Sequence, residues 1–171
     1  MIHLNIGSNL DSKHGSRYDN ISIAVNLLIE SKIKVKKISS FYETPSYPNK
    51  NNPKFLNVGL IIDYENDYLN LFKIIKKIEK NLGRIITKKN DPRVLDIDII
   101  DFNGEIKKTK ELILPHPRCH LRNFVLFPIL QIDPNWSHPI LKKNAQYLIN
   151  NLNFKLRIEI TRIKKNVNIR L

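Results

Sequence analysis

Residues 94–102 read Val-Leu-Asp-Ile-Asp-Ile-Ile-Asp-Phe, and this stretch narrows the fold more than any other. β-Branched and aromatic residues fill most of it, which suits a strand. Its near-continuous apolar character suits a core strand, in a sheet with helices on one face and the other face free for a site or extra helices. Yet a pair of carboxylates two residues apart, Asp96 and Asp98, sits among the apolar residues of the run. On a strand, side chains at i and i+2 project from one face, about 6–7 Å apart along the chain. Ile97 and Ile99 are then left to face the core. A solvated strand face is the ordinary reading of an Asp-x-Asp pair, but apolar neighbours on both sides (Val94, Leu95, Ile99, Ile100) weigh against it here. Two buried, unpaired charges are strongly unfavourable. Hard divalent cations resolve the conflict. Mg²⁺ takes oxygen ligands, commonly one or two carboxylates plus substrate phosphates, and two such ions about 4 Å apart can clamp both sides of a displacement at phosphorus.

Cationic side chains flank this pair. Arg93 follows Asp91-Pro92 just before the strand, and Arg84 follows Gly83 at the end of the preceding apolar segment. The planar guanidinium fork matches phosphate oxygens, although either arginine alone reads equally well as a surface loop residue. Downstream, Pro115-His116-Pro117-Arg118-Cys119-His120-Leu121-Arg122-Asn123-Phe124 gathers two histidines, two arginines and an aromatic ring. A zinc site there is possible in principle, but one cysteine beside a Pro-flanked histidine gives no paired ligand pattern. A phosphate-contacting loop entering a helix is the better reading. Phe55 and Asn57 share a strand face by the period-two rule. A ring beside an amide can stack on and hydrogen-bond a flat heterocycle, and core packing is the alternative for Phe55.

Taken in order, Ile2 to Ile6 predicts a strand that ends at the turn Gly7-Ser8-Asn9. Ile21, Ala24, Val25 and Leu28 recur at helical steps, which predicts a helix over Ser16 to Ser31. Val35 to Thr44 reads as one strand, Thr44 to Pro53 as a polar, Pro-punctuated loop, and Phe55 to Ile62 as the next strand. Asp67 opens a helix carrying Leu71, Ile75, Ile78 and Leu82 on one face, and Gly83 stops it. After the Val94–Phe102 strand, Asn103-Gly104 is a hairpin signal leading to a short strand near Glu105 and Ile106. Leu112 to Pro117 ends any regular element. Leu121 to Gln131 predicts a helix limited by Pro128 and Pro134, Tyr147 to Leu152 a short one, and Lys155 to Leu171 an edge strand with a loose tail. The order β-α-β-β-α-β followed by additions is that of a ferredoxin-like α/β (α+β) layer, an antiparallel-rich sheet flanked by helices.

Composition adds limits. The 171 residues fit one domain. No apolar run approaches the roughly 20 residues of a membrane span, the N-terminus does not read as a signal peptide, and one cysteine excludes an internal disulfide. A cytoplasmic location is expected. The net charge of +13 invites a nucleic-acid reading. However, the lysines are scattered, and an RNA-recognition strand needs aromatics where this one presents aspartates. Neither nucleic acid nor a membrane is expected as a partner. A monomer is expected, with a weak homodimer as the alternative.

Together these residues resemble the 6-hydroxymethyl-7,8-dihydropterin pyrophosphokinase family. The likeness rests on Gly7-Ser8-Asn9-Leu10, Ser39 to Pro45, Phe55-Leu56-Asn57, Glu79 with Gly83-Arg84, Pro92 to Ile100 and Leu114 to Leu130, in the family's order and spacing over about residues 2–150. Beyond it, 153–171 forms a C-terminal extension of the same domain. The resemblance implies transfer of diphosphate from ATP to the pterin hydroxymethyl group, with release of AMP, in folate biosynthesis. It implies two Mg²⁺ ions on Asp96 and Asp98, and a pterin pocket of Thr44, Pro45, Tyr47, Phe55, Asn57 and Phe124, with the ring between the two phenylalanines. It implies nucleotide contacts from Glu79, Arg93, Ile99, His116 and Arg122, with Glu79 a carboxylate near the site, and catalytic roles for the loop arginine Arg84, for Arg93 and for Asp98. Asp98 is the candidate if a dedicated general base exists. The segments Thr44 to Pro53 and Arg84 to Pro92 would close over bound ATP. Many members carry Trp-Gly-Pro-Arg where this chain has Asn90-Asp91-Pro92-Arg93. Ile86 replaces a second loop arginine, and Glu111 stands where some members have an arginine. A different two-metal nucleotidyl enzyme is the remaining alternative, separated by its products.

Overall fold

The computed structural model describes residues 1–84 and 91–169. Its centre is an antiparallel sheet. β1 (Ile2–Ser8) lies between β4 (Phe55–Asp63) and β5 (Asp96–Phe102). Along the other edge of β4 run β2 (Lys34–Ile38) and β3 (Phe41–Thr44), and the short β8 (Thr161–Ile163) extends the sheet beyond β3. Two-residue β6 (Lys107–Lys108) and β7 (Ile113–Leu114) pair with each other apart from it.

α1 (Arg17–Glu30) and α2 (Tyr68–Asn81) start where local chemistry dictates. The Ser16 hydroxyl accepts from the Asp19 amide while the Asp19 carboxylate reaches back to the Ser16 amide, a reciprocal cap. Asp67 accepts from the Asn70 amide to open α2, and Gly83, at φ +87°, closes it in a conformation that disfavours a side chain. Both helices turn their apolar stripes to one face of the sheet, burying Ile21, Leu28, Leu71 and Ile75 against Leu4, Leu60 and Ile97. The opposite face carries α3 (Asn123–Ile132) and α4 (Ala145–Asn150), with Val125, Leu126, Ile129 and Leu148 clustered around Ile100. The sheet is therefore covered on both sides, and its central strands β1 and β4 are buried nearly throughout.

Five expectations need correction. Val35 to Thr44 is two strands, because at Ser39 the hydroxyl accepts the Gly59 amide (2.9 Å) and interrupts the ladder. Asn103 and Gly104 do make a tight turn with positive φ, but the strand that follows pairs with β7 rather than returning along β5. Because of β7, the stretch from Leu112 to Pro117 is not wholly irregular. Pro128 lies inside α3 instead of limiting it. Its missing N–H forfeits one bond, the one directed at the Phe124 carbonyl, and its ring packs over Gly59, where a Cβ would stand 2.7 Å from Pro128 Cβ. The tail, finally, does add an edge strand, β8, but only after a short helix, α5 (Phe154–Ile158).

Candidate active site

Register brings the site together. Gly7 of β1 lies opposite Asn57 on one side and Asp96 on the other, Asn5 lies opposite Asp98, and Thr44 lies opposite Phe55. Residues directly opposite share a face, so Asp96, Asp98, Asn57, Phe55 and Thr44 all project toward α3. This row sits at one end of the sheet, where β1 ends and β4 and β5 begin.

Asp96 and Asp98 do share a face as the spacing predicts, and each is ringed by cations. Arg84 Nη1 donates to Asp96 Oδ1 at 2.6 Å, and Arg93 Nη1 to Asp96 Oδ2 at 3.0 Å. Arg122 Nη1 donates to Asp98 Oδ2 at 3.2 Å. Burial, and then the charge of Asp96, push the Asp98 carboxyl up to about 6, with Arg122 pulling the other way. The donor set is oxygen only, on one rigid strand, and holds a carboxylate disfavoured as an anion. A divalent cation suits such a set, because its charge would reverse that penalty.

His116 Nε2 lies 3.9 Å from Asp98 Oδ2 and 3.3 Å from Arg122 Nη1, while His116 Nδ1 accepts from the Arg118 amide. Burial, then the charges of Arg122 and Arg118, lower His116 to about 4. The ring is therefore neutral near pH 7, a donor or acceptor rather than a cation.

Glu79 is buried beneath the acidic pair. One of its oxygens accepts from the Ile97 amide (2.8 Å) and from Arg84, and the other pairs with Lys76 at 2.8 Å. Its oxygens are taken by protein donors, so it holds Arg84 in place. Arg93 is held by its backbone: the amide donates to Asn9 Oδ1 at 2.7 Å, and the Asn9 amide returns a bond to the Arg93 carbonyl at 3.2 Å. The Asn9 side-chain amide reaches across to Ser46 Oγ and the Pro53 carbonyl. Asn9 thereby ties the start of β5 to the loop after β3.

The aromatic pair flanks the acidic one. The Arg93 guanidinium lies 6.0 Å from the Phe55 ring centre, and that of Arg122 lies 5.3 Å from Phe124. Asn57 Nδ2 contacts Thr44 Oγ1 at 3.5 Å, and Asn5 Nδ2 contacts Asn57 Oδ1 at the same distance. A Cβ on Gly7 would stand 3.0 Å from Asn57 Oδ1 and 3.6 Å from the Phe55 ring. Glycine here keeps open the floor between the amide and the ring, a space suited to a flat ligand.

Most residues expected at the site therefore meet in one place. Ile99 does not join them by its side chain, which is 3% exposed in the core under α1 and α2. Tyr47 is exposed on the loop, beside the partly buried Pro45. Glu111 is exposed. The lid expected at Arg84 to Pro92 falls mostly on residues 85–90, which lie outside the described residues, as do Ile86 and Asn90. Sequence reasoning passed over Asn5 and the bracing by Asn9. The available signal was a single amide interrupting the apolar run Ile2 to Ile6.

Tertiary contact also gathers Cys119, His120 and His138, whose ligand atoms lie within 4.8 Å of one another. His138 Nδ1 accepts from the Ile140 and Leu141 amides, each at 3.2 Å. A neutral ring then carries its proton on Nε2 and has no lone pair left for an ion. The zinc alternative gains no support from this cluster.

An antiparallel α/β scaffold, a paired carboxylate on one strand face, converging arginines and an adjoining aromatic cleft define a protein built to hold polyphosphate beside a flat ring. The family is narrower than that class. Residues 3–134 match the family model of 7,8-dihydro-6-hydroxymethylpterin-pyrophosphokinase (HPPK), and the chain belongs to that family. It is 37% identical over 142 residues to the 2-amino-4-hydroxy-6-hydroxymethyldihydropteridine pyrophosphokinase of Aquifex aeolicus, covering 83% of this chain and 86% of that protein. It is 38% identical over 141 residues to the folic acid synthesis protein FOL1 of Dictyostelium discoideum, covering 82% of this chain but only 21% of that longer protein. In fold it is similar to the Plasmodium falciparum HPPK-DHPS crystal structure, with a TM-score of 0.70 at 17% identity, over 94% of this chain and 47% of that one.

Proposed function

We propose that this protein transfers diphosphate from ATP to the hydroxymethyl group of 6-hydroxymethyl-7,8-dihydropterin, releasing AMP, with two Mg²⁺ ions held by Asp96 and Asp98. The observation that carries the reading is the Asp96–Asp98 pair, ringed by Arg84, Arg93 and Arg122 and set beside Phe55 and Phe124, in a chain of the pyrophosphokinase family.

The pterin ring lies between Phe55 and Phe124 over Gly7, with its polar edge toward Asn57, Thr44 and the nearby Pro45 and Tyr47. The arginines now stacked beside those rings and paired with the aspartates turn to the phosphate oxygens, whose bidentate geometry they match. His116, neutral, and Arg122 contact the nucleotide, as does the backbone of Ile99. Glu79 keeps Arg84 aimed at the phosphates. Bound divalent cations would neutralise phosphate charge and make the substrate hydroxyl more acidic. Asp98 is the candidate acceptor for that proton. The rest of the rate enhancement comes from alignment of the hydroxyl with the β-phosphorus and from charge stabilisation, the main means available in phosphoryl transfer.

The test is product identity. Purified protein with ATP, Mg²⁺ and the reduced pterin should form AMP in step with pterin diphosphate. ADP as product, or turnover indifferent to pterin, would sink the proposal and favour another nucleotidyl enzyme.

A further inference from the structure

The segment from α5 to β8 lies past residue 134, where the family match ends, and its contacts converge on the proposed pterin pocket. Glu159, which caps α5, accepts a hydrogen bond from the Tyr47 hydroxyl through one oxygen and from Lys50 Nζ at 2.5 Å through the other. Lys50 also lies 5.4 Å from the Tyr47 ring centre, so the three side chains form one unit. Three residues before Glu159, the Leu156 carbonyl accepts from Asn123 Nδ2 at 2.6 Å. Asn123 is buried at the head of α3, and its other amide atom accepts from the Phe124 amide at 2.7 Å. Beyond Glu159, β8 pairs with β3, the strand that ends at Thr44, and Arg162 Nε donates to Ser40 Oγ at 3.0 Å.

We infer that this segment is a strap joining the loop after β3 to the head of α3, and that Glu159 is a positioning residue for the pterin. The inference rests on the pterin pocket proposed above. The strap fixes the distance between two walls that local sequence leaves independent: the loop carrying Pro45 and Tyr47, and the helix start carrying Phe124. Glu159 holds the loop by its charge and by its acceptor geometry, and α5 transmits that restraint to Asn123. Without it the loop samples more positions, and ordering them on binding weakens affinity for the ligand that touches the loop. The same loop would close over ATP, but the side chains proposed to contact ATP lie on other elements, so ATP draws less on this restraint.

The experiment measures pterin and ATP affinity separately, by calorimetry, for the wild type, Glu159→Ala, Glu159→Gln and the charge exchange Lys50→Glu with Glu159→Lys. Glu159→Ala should weaken pterin binding about three- to fivefold, the upper part of the range for an exposed ion pair. It should leave ATP affinity within about twofold, where exposed and unrelated sites normally fall. Glu159→Gln, which keeps an acceptor for Tyr47, should lie between the two, and the charge exchange should recover at least part of the loss. Unchanged pterin affinity in Glu159→Ala, or equal loss for both ligands, would overturn the inference. If Glu159→Ala does not fold, Glu159→Gln and the charge exchange decide by the same criterion. Phe55→Ala and Phe124→Ala serve as controls. If they too leave pterin binding intact, the pocket itself is misplaced; if only they weaken it, the strap alone fails.

Discussion

Replacing Asp98 with asparagine should stabilise the metal-free protein while removing its activity. The Asp98 carboxyl is shifted from an ordinary 3.8 to about 6, chiefly by burial and then by Asp96. That shift corresponds to about 3 kcal/mol in favour of the protonated form when both states would otherwise ionise. Between about pH 4 and 6 the folded protein keeps a proton that the unfolded chain has released. Wild-type stability therefore falls as pH rises through that window and levels off above it. Asparagine cannot ionise and escapes the cost. Asp98→Asn should thus be more stable than wild type by about 1–3 kcal/mol at pH 8, and by roughly half as much at pH 5. Urea unfolding in EDTA at pH 5, 6, 7 and 8 reads the difference directly, and turnover assays of the same preparations should show near-complete loss. Added Mg²⁺ should raise the urea midpoint of the wild type well above that of the variant, since a ligand stabilises the state that binds it. A variant less stable than wild type at pH 8, or a difference that does not change with pH, would refute the reasoning. It would mean that the Arg122 pairing outweighs the burial of the charge.

Three other perturbations separate the parts of the site and its scaffold. Phe124→Ala should weaken pterin binding by about 1–2 kcal/mol, or roughly five- to thirtyfold, with ATP affinity nearly unchanged when both are titrated; equal losses would argue against a stacking role. Glu79→Gln should lower stability by about 2 kcal/mol in urea unfolding and reduce turnover, because Arg84 and Lys76 lose a buried charged partner. Gly59→Ala should destabilise by about 1–3 kcal/mol, since its Cβ would meet Pro128 at 2.7 Å and push α3 off the sheet; a neutral effect would show that α3 can move without cost.

Local patterns made the scaffold legible. The caps at Ser16 and Asp67, the stop at Gly83 and the apolar stripes of α1 and α2 depend on neighbours within one or two turns, and short-range chemistry suffices to read them. The break between β2 and β3 was not legible, because it depends on a hydroxyl meeting an amide twenty residues away, Ser39 with Gly59. Pro128 reads as a helix limit only until Gly59 is seen to leave room for its ring. At the site, the residue types were legible and their partnerships were not. Glu79 was placed near the site by the family resemblance, and only the fold showed that its oxygens are committed to Arg84, Lys76 and the Ile97 amide.

The sequence by itself determined that one strand face would carry two carboxylates, because side-chain direction on a strand follows from chain geometry alone. It also determined the helices and the chemical types of the groups in the site. Which cation meets which carboxylate was decided by the register of β1 against β4 and β5 and by the docking of α3. The same docking let residues 154–163 reach both walls of the pocket. Such pairings span tens of residues in the chain, and their energies appear only when solvent is displaced between elements that no local pattern brings together.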